Sequence, residues 1–340
     1  MAHPLLAWSR IVFRRMGLRL GASIVLAALL WLKQRAALRL KRQAWAQETR
    51  RLAEQRRCGA SPCTVAARLC SAGAPAPSPP RPSICFQGAG CLVMYHVGVA
   101  RYVQEHFANV AEASVYGCSS GALVASCLAA GLDLGSHSLV AQQCVEMTRL
   151  CRSPPFGPLF SVLSHVEQRL LAALLVGLSD DKSDCEGADE KVRERCDGRL
   201  FLSLTHVPTL GQRLLCHFPT CASLAKAVVC SMNLPFIFFC PVQRVPEPGE
   251  GAGAELYIDG GITENAPCAT DGFTVRVSPT ADSGAHVRPL PGSENGFFRF
   301  VVPGDAAQQQ QLEQQGWDDA NRQHGVFVRR GWVPKAQAAT

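Results

Sequence analysis

The chain has 340 residues, of which 47% are hydrophobic and 18% are charged. This composition is typical of a globular protein and excludes a chain that is disordered throughout, and the length suits one large domain or two small ones. The formal net charge of +7 comes from residues 1–47, which hold nine lysines and arginines and no acidic residue. Because the remainder is close to neutral, the basic balance is poor evidence for nucleic-acid binding, and we expect no nucleic-acid partner.

Residues 1–57 are predicted to be a membrane-anchoring or targeting arm. They contain an apolar run of 13 residues, 20–32, flanked by Arg19 and Lys33. A helix that spans a bilayer needs about 20 apolar residues, so this shorter run favours a signal anchor or an interfacial helix. An organellar transit peptide, for a mitochondrion or plastid, is the close alternative. A cleaved secretory signal fits least, because no clean cleavage site follows.

Residues 58–82 are predicted to be a linker that leads to a folded domain over residues 83–330 and a short tail, 331–340. The end of the linker, residues 72–82, reads AGAPAPSPPRP. This proline-rich composition packs neither as helix nor as sheet.

The chain contains 16 cysteines but no CxxC pair. A chain of this length can bury a core without disulfides, and many of the cysteines lie inside apolar runs, where cysteine behaves as a small hydrophobic residue. We therefore expect mostly free thiols in a reducing, intracellular compartment, and no metal or cofactor.

The domain is predicted to open with two strand–turn–helix units. In the first, residues 83–88 form a short apolar strand, Gly88 and Gly90 lie in a glycine loop, and residues 92–107 have apolar side chains at helical spacing. The second unit covers residues 113–131. Two such units in succession predict an α/β fold with a parallel sheet covered by helices, and ligands bind such a sheet at the carboxyl ends of its strands.

The second unit carries a GxSxG turn, in which Gly117 and Gly121 surround Ser119. The glycines allow a strand to turn sharply into a helix whose positive end stabilises negative charge beside the serine. Ser119 is therefore the candidate nucleophile, and the side chain of Ser120 is expected to point away from the glycine loop. An ordinary Gly/Ser turn is the alternative, but the flanking strand and helix favour the nucleophile elbow.

Further elements are predicted in the second half of the domain. Residues 160–178 are predicted to be a core-facing helix, with lipid contact as the alternative. Residues 179–198 are rich in acidic side chains and are predicted to be an exposed loop. The remaining predictions are strands at 199–207, 212–218 and 255–258, a turn at Pro208, a helix at 220–232 and a loop at 246–253.

The last predicted strand, 255–258, leads directly to Asp259, which Gly260 and Gly261 follow in the sequence YIDGG. The glycines allow this loop to approach another backbone closely. A lone Asp-Gly pair at a strand end is usually only a turn. Its position after the glycine loop and the GxSxG serine makes Asp259 the candidate partner of Ser119.

Three segments in this order resemble the patatin-like phospholipase family, and within it the adiponutrin-like branch of acylglycerol lipases. They are FQGAGCLVMYHVGVARYV, VYGCSSGALVAS and YIDGGITENAP, and the resemblance runs from about residue 84 to residue 322. It implies a three-layer α/β/α fold with a mainly parallel central sheet. It also implies a catalytic Ser/Asp dyad that works without histidine, here Ser119 and Asp259.

The resemblance further implies an oxyanion hole in the glycine loop, formed by the backbone amides of Gly88, Ala89, Gly90 and Cys91. One position departs from the family pattern. The family's loop is usually GxGxxG, whereas GAGCLV ends in Val93. The third glycine serves helix packing more simply than oxyanion binding, so the replacement leaves full and reduced activity both open.

The implied chemistry is cleavage of a lipid ester through an acyl-enzyme. Asp259 would accept the Ser119 proton as Oγ attacks the carbonyl carbon, the loop amides would stabilise the oxyanion, and water or an acceptor alcohol would release the acyl group. A free carboxylate is a weak base for serine, so the site should be desolvated enough to raise the pKa of the carboxyl group. The expected partner is an acylglycerol or phospholipid ester at a membrane or lipid-droplet surface.

Two other interpretations remain open. An α/β-hydrolase would use a Ser/Asp/His triad with His286 or His324 as base, although the oxyanion loop of that fold normally lies further upstream of the elbow. A catalytically silent lipid-binding protein would keep the same fold, and Val93 is the residue that supports it. A nucleotide-binding loop is not supported, since no GK[ST] follows GAGCLV.

Overall fold

The computed structural model describes residues 81–136, 138–152, 157–179, 185–207, 209–234, 243–245, 255–268, 272–282, 284–292, 295 and 302–338. The predicted arm, nearly all of the predicted linker, Pro208 of the predicted turn and the predicted loop at 246–253 lie outside these residues.

Seven strands of the described part form one sheet. The strands are β1 (Ser83–Phe86), β2 (Ser114–Cys118), β3 (Leu200–His206), β4 (Gly211–Leu215), β5 (Gln243–Val245), β6 (Glu255–Asp259) and β7 (Thr274–Val277). Their order is β5-β6-β3-β2-β1-β7, and β4 also pairs with β3. The pairs β7-β1, β1-β2 and β2-β3 are parallel, whereas β4 and β6 are antiparallel to β3 and β5 is antiparallel to β6. The predicted parallel sheet is therefore confirmed in its centre, and antiparallel strands extend it on the β3 side.

Helices flank this sheet. They are α1 (Val93–His106), α2 (Ser120–Ala130), α3 (Leu139–Arg152), α4 (Gly157–Leu178), α5 (Cys185–Cys196), α6 (Cys221–Ser231), α7 (Ala306–Arg322), α8 (His324–Arg329) and α9 (Lys335–Ala338). Every residue of β1 and of α2 is buried. Strands and helices that are apolar on all sides belong to the interior of an α/β domain, which is where these two elements position the glycine loop and the elbow.

The acidic segment at 179–198 is a helix, α5, over most of its length, so the prediction of an exposed loop was wrong. The helix buries Ala188, Val192 and Cys196, which follow one another at intervals of four. This spacing aligns three small apolar side chains on one face, while the charged side chains occupy the others. The prediction of a loop relied on the many acidic residues in this segment and so missed the buried stripe.

The helix predicted at 160–178 is confirmed as α4, and it begins three residues earlier. It buries Val166, Leu170 and Leu174, again at intervals of four, as expected for a core-facing helix. The helix predicted at 220–232 is α6, with Thr220 as its N-cap. None of the helices in the described part combines the length and apolar character that crossing a bilayer requires.

Packing of α1 against α7 brings two backbones into direct contact. A Cβ atom on Gly98 of α1 would lie 1.9 Å from the Glu313 carbonyl oxygen, and one on Gly316 of α7 would lie 2.0 Å from the Tyr95 carbonyl oxygen. Neither position has room for a side chain. These glycines fix the distance between the two helices and so the position of α1, which follows the glycine loop.

The packed chain continues beyond the domain boundary predicted at residue 330. Trp332 is buried against Phe107 and Phe327, and the Val333 amide donates a hydrogen bond to Asn109 Oδ1 at 2.9 Å. Among the described cysteines, ten are free thiols and Cys216 is disulfide-bonded. The expectation of mostly free thiols holds in this part of the chain, with Cys216 as the exception.

Candidate active site

The strand register explains how Ser119 and Asp259 meet. Strand β2 pairs with the first half of β3 and ends with Cys118 opposite Ser203, whereas β6 pairs with the second half and ends with Asp259 opposite Leu204. Because β4 pairs with the other side of β3, β2 and β6 share one side and run toward each other. Their carboxyl ends therefore meet, and Ser119 is the next residue after β2.

Ser119 and Asp259 are joined by a short hydrogen bond. Ser119 Oγ donates to Asp259 Oδ2 at 2.7 Å, and the Gly261 amide donates to Asp259 Oδ1, also at 2.7 Å. Asp259 is only 2% exposed, and burial raises the pKa of its carboxyl group to about 6 even though both hydrogen bonds act to lower it. The carboxyl group is thus mostly ionised at pH 7 and is a stronger base than an exposed aspartate. The predicted desolvation is confirmed.

Ser119 occupies a strained corner between β2 and α2. Its φ of 53° and ψ of −129° lie outside the regions that residues with side chains prefer, and Leu210 is the only other non-glycine residue with positive φ in the described part. The Ser119 amide donates to Ser231 Oγ at 2.9 Å, and Ser231 Oγ donates to the Ser203 carbonyl oxygen at 2.7 Å. This buried chain of hydrogen bonds connects the corner to α6 and β3.

The two glycines of the predicted elbow lie where neighbouring backbone leaves no space. A Cβ atom on Gly117 would lie 2.6 Å from Ala122 Cα, and one on Gly121 would lie 2.4 Å from the carbonyl oxygens of both Phe86 and Gln87. Gly121 therefore lets the start of α2 touch the end of β1, immediately before the glycine loop. Gly260 has the same role after β6, because a Cβ atom there would lie 2.2 Å from the Ser203 carbonyl oxygen.

The glycine loop lies beside Ser119, but two of its backbone amides already donate hydrogen bonds to side chains of the protein. The Gly88 amide donates to Asn265 Oδ1 at 3.0 Å, and the Ala89 amide donates to Ser120 Oγ at 3.1 Å. The expectation that Ser120 points away from the loop was therefore wrong. Gly90 has a φ of +52° and, with Cys91, begins the partly exposed turn that leads into α1. The amide of the first residue of such a turn, here Gly90, has no intrahelical acceptor.

Asn265 links the glycine loop to the loop after Asp259. A Cβ atom on Gly88 would lie 2.4 Å from Asn265 Oδ1 and 3.2 Å from Ser119 Cβ, and one on Gly261 would lie 3.1 Å from Asn265 Oδ1. The side chain thus lies next to the nucleophile candidate and to both loops. Asn265 stands in the segment YIDGGITENAP, but no spacing in the sequence marks it as a site residue. Only the contact between distant segments shows its role.

His96 is hydrogen-bonded to the residue that precedes the glycine loop. Its ring is buried, and Nε2 lies 2.8 Å from the Gln87 carbonyl oxygen, the residue before Gly88. Burial lowers the pKa of His96 to about 4, so the ring is neutral at pH 7. We assign the ring proton to Nε2, because a carbonyl oxygen can only accept.

Neither downstream histidine forms a triad with Ser119 and Asp259. His286 Nδ1 accepts from the Arg276 amide at 2.9 Å, and His286 Nε2 lies 2.9 Å from the Arg330 guanidinium. His324 Nδ1 is hydrogen-bonded to the Tyr102 hydroxyl at 2.7 Å. Burial and the two arginines also lower the pKa of His286 to about 4. The α/β-hydrolase interpretation was therefore wrong.

Cys118, directly before Ser119, is not an alternative nucleophile. Burial raises the pKa of its thiol well above the ordinary value, and the nearby charge of Asp259 adds to the effect. A cysteine nucleophile needs the opposite shift, because the thiolate is the reactive form. In the described part of the chain, no group of three or more histidine, cysteine, aspartate or glutamate side chains could hold a metal ion.

Comparison with known proteins assigns the family. The family model of the patatin-like phospholipases matches residues 84–270, which is more than half of the chain and includes the glycine loop, the elbow and Asp259. The chain belongs to the patatin-like phospholipase family. The resemblance seen in the three sequence segments is thereby confirmed, and so is the predicted fold class.

Individual relatives match this chain over similar lengths. The mouse patatin-like phospholipase domain-containing protein 2 is 33% identical over 190 residues, which cover 54% of this chain and 34% of that protein. Human patatin-like phospholipase domain-containing protein 5 is 30% identical over 57% of this chain and 41% of that protein. Human 1-acylglycerol-3-phosphate O-acyltransferase PNPLA3 is 27% identical over 54% of this chain and 34% of that protein. The chain therefore spans about a third of the length of the first of these relatives.

Proposed function

We propose that this protein is a serine lipid acyl hydrolase that cleaves carboxylic esters through an acyl-enzyme on Ser119, with Asp259 as the base. The observation that carries the proposal is the 2.7 Å hydrogen bond from Ser119 Oγ to a buried carboxylate whose pKa is about 6. Membership of the patatin-like phospholipase family supports lipid esters as the substrate class.

In the proposed first step, Ser119 Oγ attacks the ester carbonyl carbon as its proton passes to Asp259 Oδ2. The carbonyl oxygen becomes an oxyanion, and collapse of the tetrahedral intermediate expels the alcohol, which takes the proton from Asp259. In the second step Asp259 removes a proton from water, and the hydroxide adds to the acyl group. The second collapse returns the proton to Ser119 and releases the fatty acid.

We propose the Gly90 amide as the oxyanion donor, and the family resemblance adds that of Cys91. These residues form the accessible start of the turn into α1, where helix-end amides and the helix dipole favour negative charge. The amides of Gly88 and Ala89, which the family resemblance also implies, hold the loop in shape through Asn265 and Ser120 instead. This division of roles does not depend on a glycine at position 93.

Acyl transfer is a second candidate outcome of the same site. One relative is named as an acyltransferase acting on 1-acylglycerol-3-phosphate. The acyl-enzyme would then be released by the hydroxyl group of an acceptor lipid instead of water, with Asp259 again as the base. Acylglycerols are the proposed donor class, from the resemblance to the adiponutrin-like branch.

The proposal is tested by assaying the purified protein against triacylglycerol, monoacylglycerol, phospholipid and retinyl ester beside the Ser119→Ala variant. Free fatty acid and new esters are both measured, so that hydrolysis and transfer are separated. We expect activity on at least one acylglycerol and none in the variant. Activity that survives in Ser119→Ala, or a wild-type protein inactive on all four classes, would contradict the proposal.

A matched set of variants tests the dyad. Asp259→Asn should lower turnover by about two to four orders of magnitude, the range that general-base catalysis supplies. His286→Ala and His324→Ala should keep near wild-type turnover per folded molecule, because neither ring contacts the pair. A histidine change as damaging as the aspartate change would sink the two-residue mechanism.

A further inference from the structure

The turn between β3 and β4 combines two unfavourable features at one residue. Leu210 has a φ of +49° and is 64% exposed. Among the described non-glycine residues, only Ser119 also has a positive φ. Glycine or asparagine adopts positive φ at lower cost, and such a turn usually contains one of them at this position. An exposed leucine in strained backbone therefore calls for a reason outside the fold.

The turn is braced, so Leu210 is held in place. Thr209 Oγ1 is hydrogen-bonded to His206 Nδ1 at 2.8 Å and accepts from the Gly211 amide at 3.3 Å. The Val207 amide donates to the Leu256 carbonyl oxygen at 2.9 Å, which ties the turn to β6.

The position of the turn relates it to the active site. Strand β3 runs parallel to β2, pairs with Cys118 at Ser203 and continues to His206, so the turn begins about 10 Å beyond the level of Ser119. It therefore projects past Ser119 on the side of the sheet toward which β2 and β3 both run, with β6 leading back from the turn to Asp259. Ile262, three residues after Asp259, is a second exposed apolar side chain, at 47%.

The charge around the turn favours a lipid surface. Residues 199–218 contain no aspartate or glutamate, and Arg213 is exposed on β4. An apolar side chain at the tip of a hairpin whose own strands carry the exposed Arg213 and no acidic residue complements acyl chains beneath negatively charged headgroups.

We propose that the tip of the β3-β4 hairpin inserts Leu210 into the lipid surface that carries the ester substrate. The insertion would hold the carboxyl end of β3, and with it the side of the sheet that carries Ser119, against the lipid. This proposal rests on the proposed function in one respect, the choice of a lipid instead of a protein as the partner of the hairpin tip. Its tests include a binding measurement that needs no turnover. Failure of the insertion proposal can therefore be distinguished from failure of the proposed lipase activity.

Insertion is tested with the full chain carrying Leu210→Trp, mixed with vesicles of phosphatidylcholine and phosphatidylglycerol whose acyl chains are brominated. Bromine quenches tryptophan fluorescence only within the bilayer. We expect added quenching relative to wild type for Leu210→Trp and none for Val333→Trp. Val333 is 40% exposed and lies beside Ala108, past the far end of α1, and so controls for surface position. The same result is expected in the Ser119→Ala background. Equal quenching for both positions would overturn the proposal.

The companion variant Leu210→Asn tolerates positive φ and should keep the thermal unfolding midpoint at or above that of wild type. Activity on emulsified lipid ester should fall about tenfold, as expected when one leucine is no longer buried in lipid, whereas activity on a soluble short-chain ester should not change. Leu210→Met should keep both activities, and Val333→Asn should be silent. Unchanged emulsion activity in Leu210→Asn would overturn the proposal. Loss of that activity without quenching in Leu210→Trp would do the same, by assigning the tip to another partner.

Discussion

Asp259 is the residue at which catalysis and stability oppose each other. Folding raises the pKa of its carboxyl group from an ordinary 3.8 to about 6, chiefly by burial. A group whose pKa is higher in the folded state favours folding when it is protonated. Its contribution is fully present below pH 4 and is lost as the pH rises through about 6. At pH 8 the ionised carboxylate therefore costs about 3 kcal/mol of stability relative to the protonated form.

Asp259→Asn should consequently stabilise the fold while it removes activity. We expect the free energy of unfolding to rise by about 2 to 3 kcal/mol at pH 8, because the neutral amide avoids burial of a charge, and the gain to vanish near pH 4. Urea denaturation at the two pH values measures it. A variant that is less stable than wild type at pH 8 would show that burial does not govern this carboxyl group.

Ser231 is expected to position the nucleophile without touching the substrate. Ser231→Ala leaves the Ser119 amide and the Ser203 carbonyl group without their partner, so the strained corner should relax and kcat should fall by about tenfold or more with little change in KM. Ser231→Cys should restore part of kcat. Ser126→Ala is the matched control, because Ser126 is a buried serine that bonds only to the Ala122 carbonyl oxygen one turn earlier in α2. Equal effects of the two alanine variants would argue for a merely structural role.

At the scale of elements, the close contact between α1 and α7 predicts that position 316 does not tolerate a side chain. Gly316→Ala would press a methyl group against the Tyr95 carbonyl oxygen and should destabilise the domain by about 1 to 3 kcal/mol, the usual cost of overpacking. Gly325→Ala in α8 is the control, because its nearest neighbour is the flexible end of Arg329 at 3.3 Å. Thermal unfolding compares the two. A stabilising Gly316→Ala would contradict the backbone contact described above.

The elements that local sequence pattern determines were predictable, and those that depend on distant contacts were not. The strands before Gly88, Ser119 and Asp259 followed from short apolar runs that end in glycine-rich turns. Helix α5 was missed because its buried stripe consists of small residues among many charges. The roles of Ser231 and Asn265 arise where β3, α6 and the loop after β6 converge, and no spacing along the chain signals such a meeting. The strain at Leu210 was equally invisible, since the sequence does not show which residue of a turn has positive φ.

At the scale of the whole molecule, the basic arm at residues 1–57 is proposed to bring the domain to its substrate. Its lysines and arginines each contribute about 1 kcal/mol near an anionic surface, and its apolar run would lie in the acyl boundary. Deletion of residues 1–57 should therefore release most of the protein from membranes in a fractionation experiment and leave hydrolysis of a soluble ester unchanged. A mature protein that begins near Gln55 in cells would identify the arm as a transit peptide instead. Equal membrane recovery of both forms would assign lipid contact to the domain itself.

The central claim is that Ser119 is a nucleophile activated by Asp259, and labelling with a fluorophosphonate tests it most directly. The site of modification is read by peptide mass spectrometry, and the labelling rate is followed between pH 4 and pH 9. We expect a single labelled residue, Ser119, and a rate that rises with an apparent pKa of about 6, because Asp259 must be ionised to accept the proton. Ser119→Ala should abolish labelling, and Asp259→Asn should slow it and remove the step near pH 6. Labelling of Ser120, or labelling that persists in Ser119→Ala, would contradict the account.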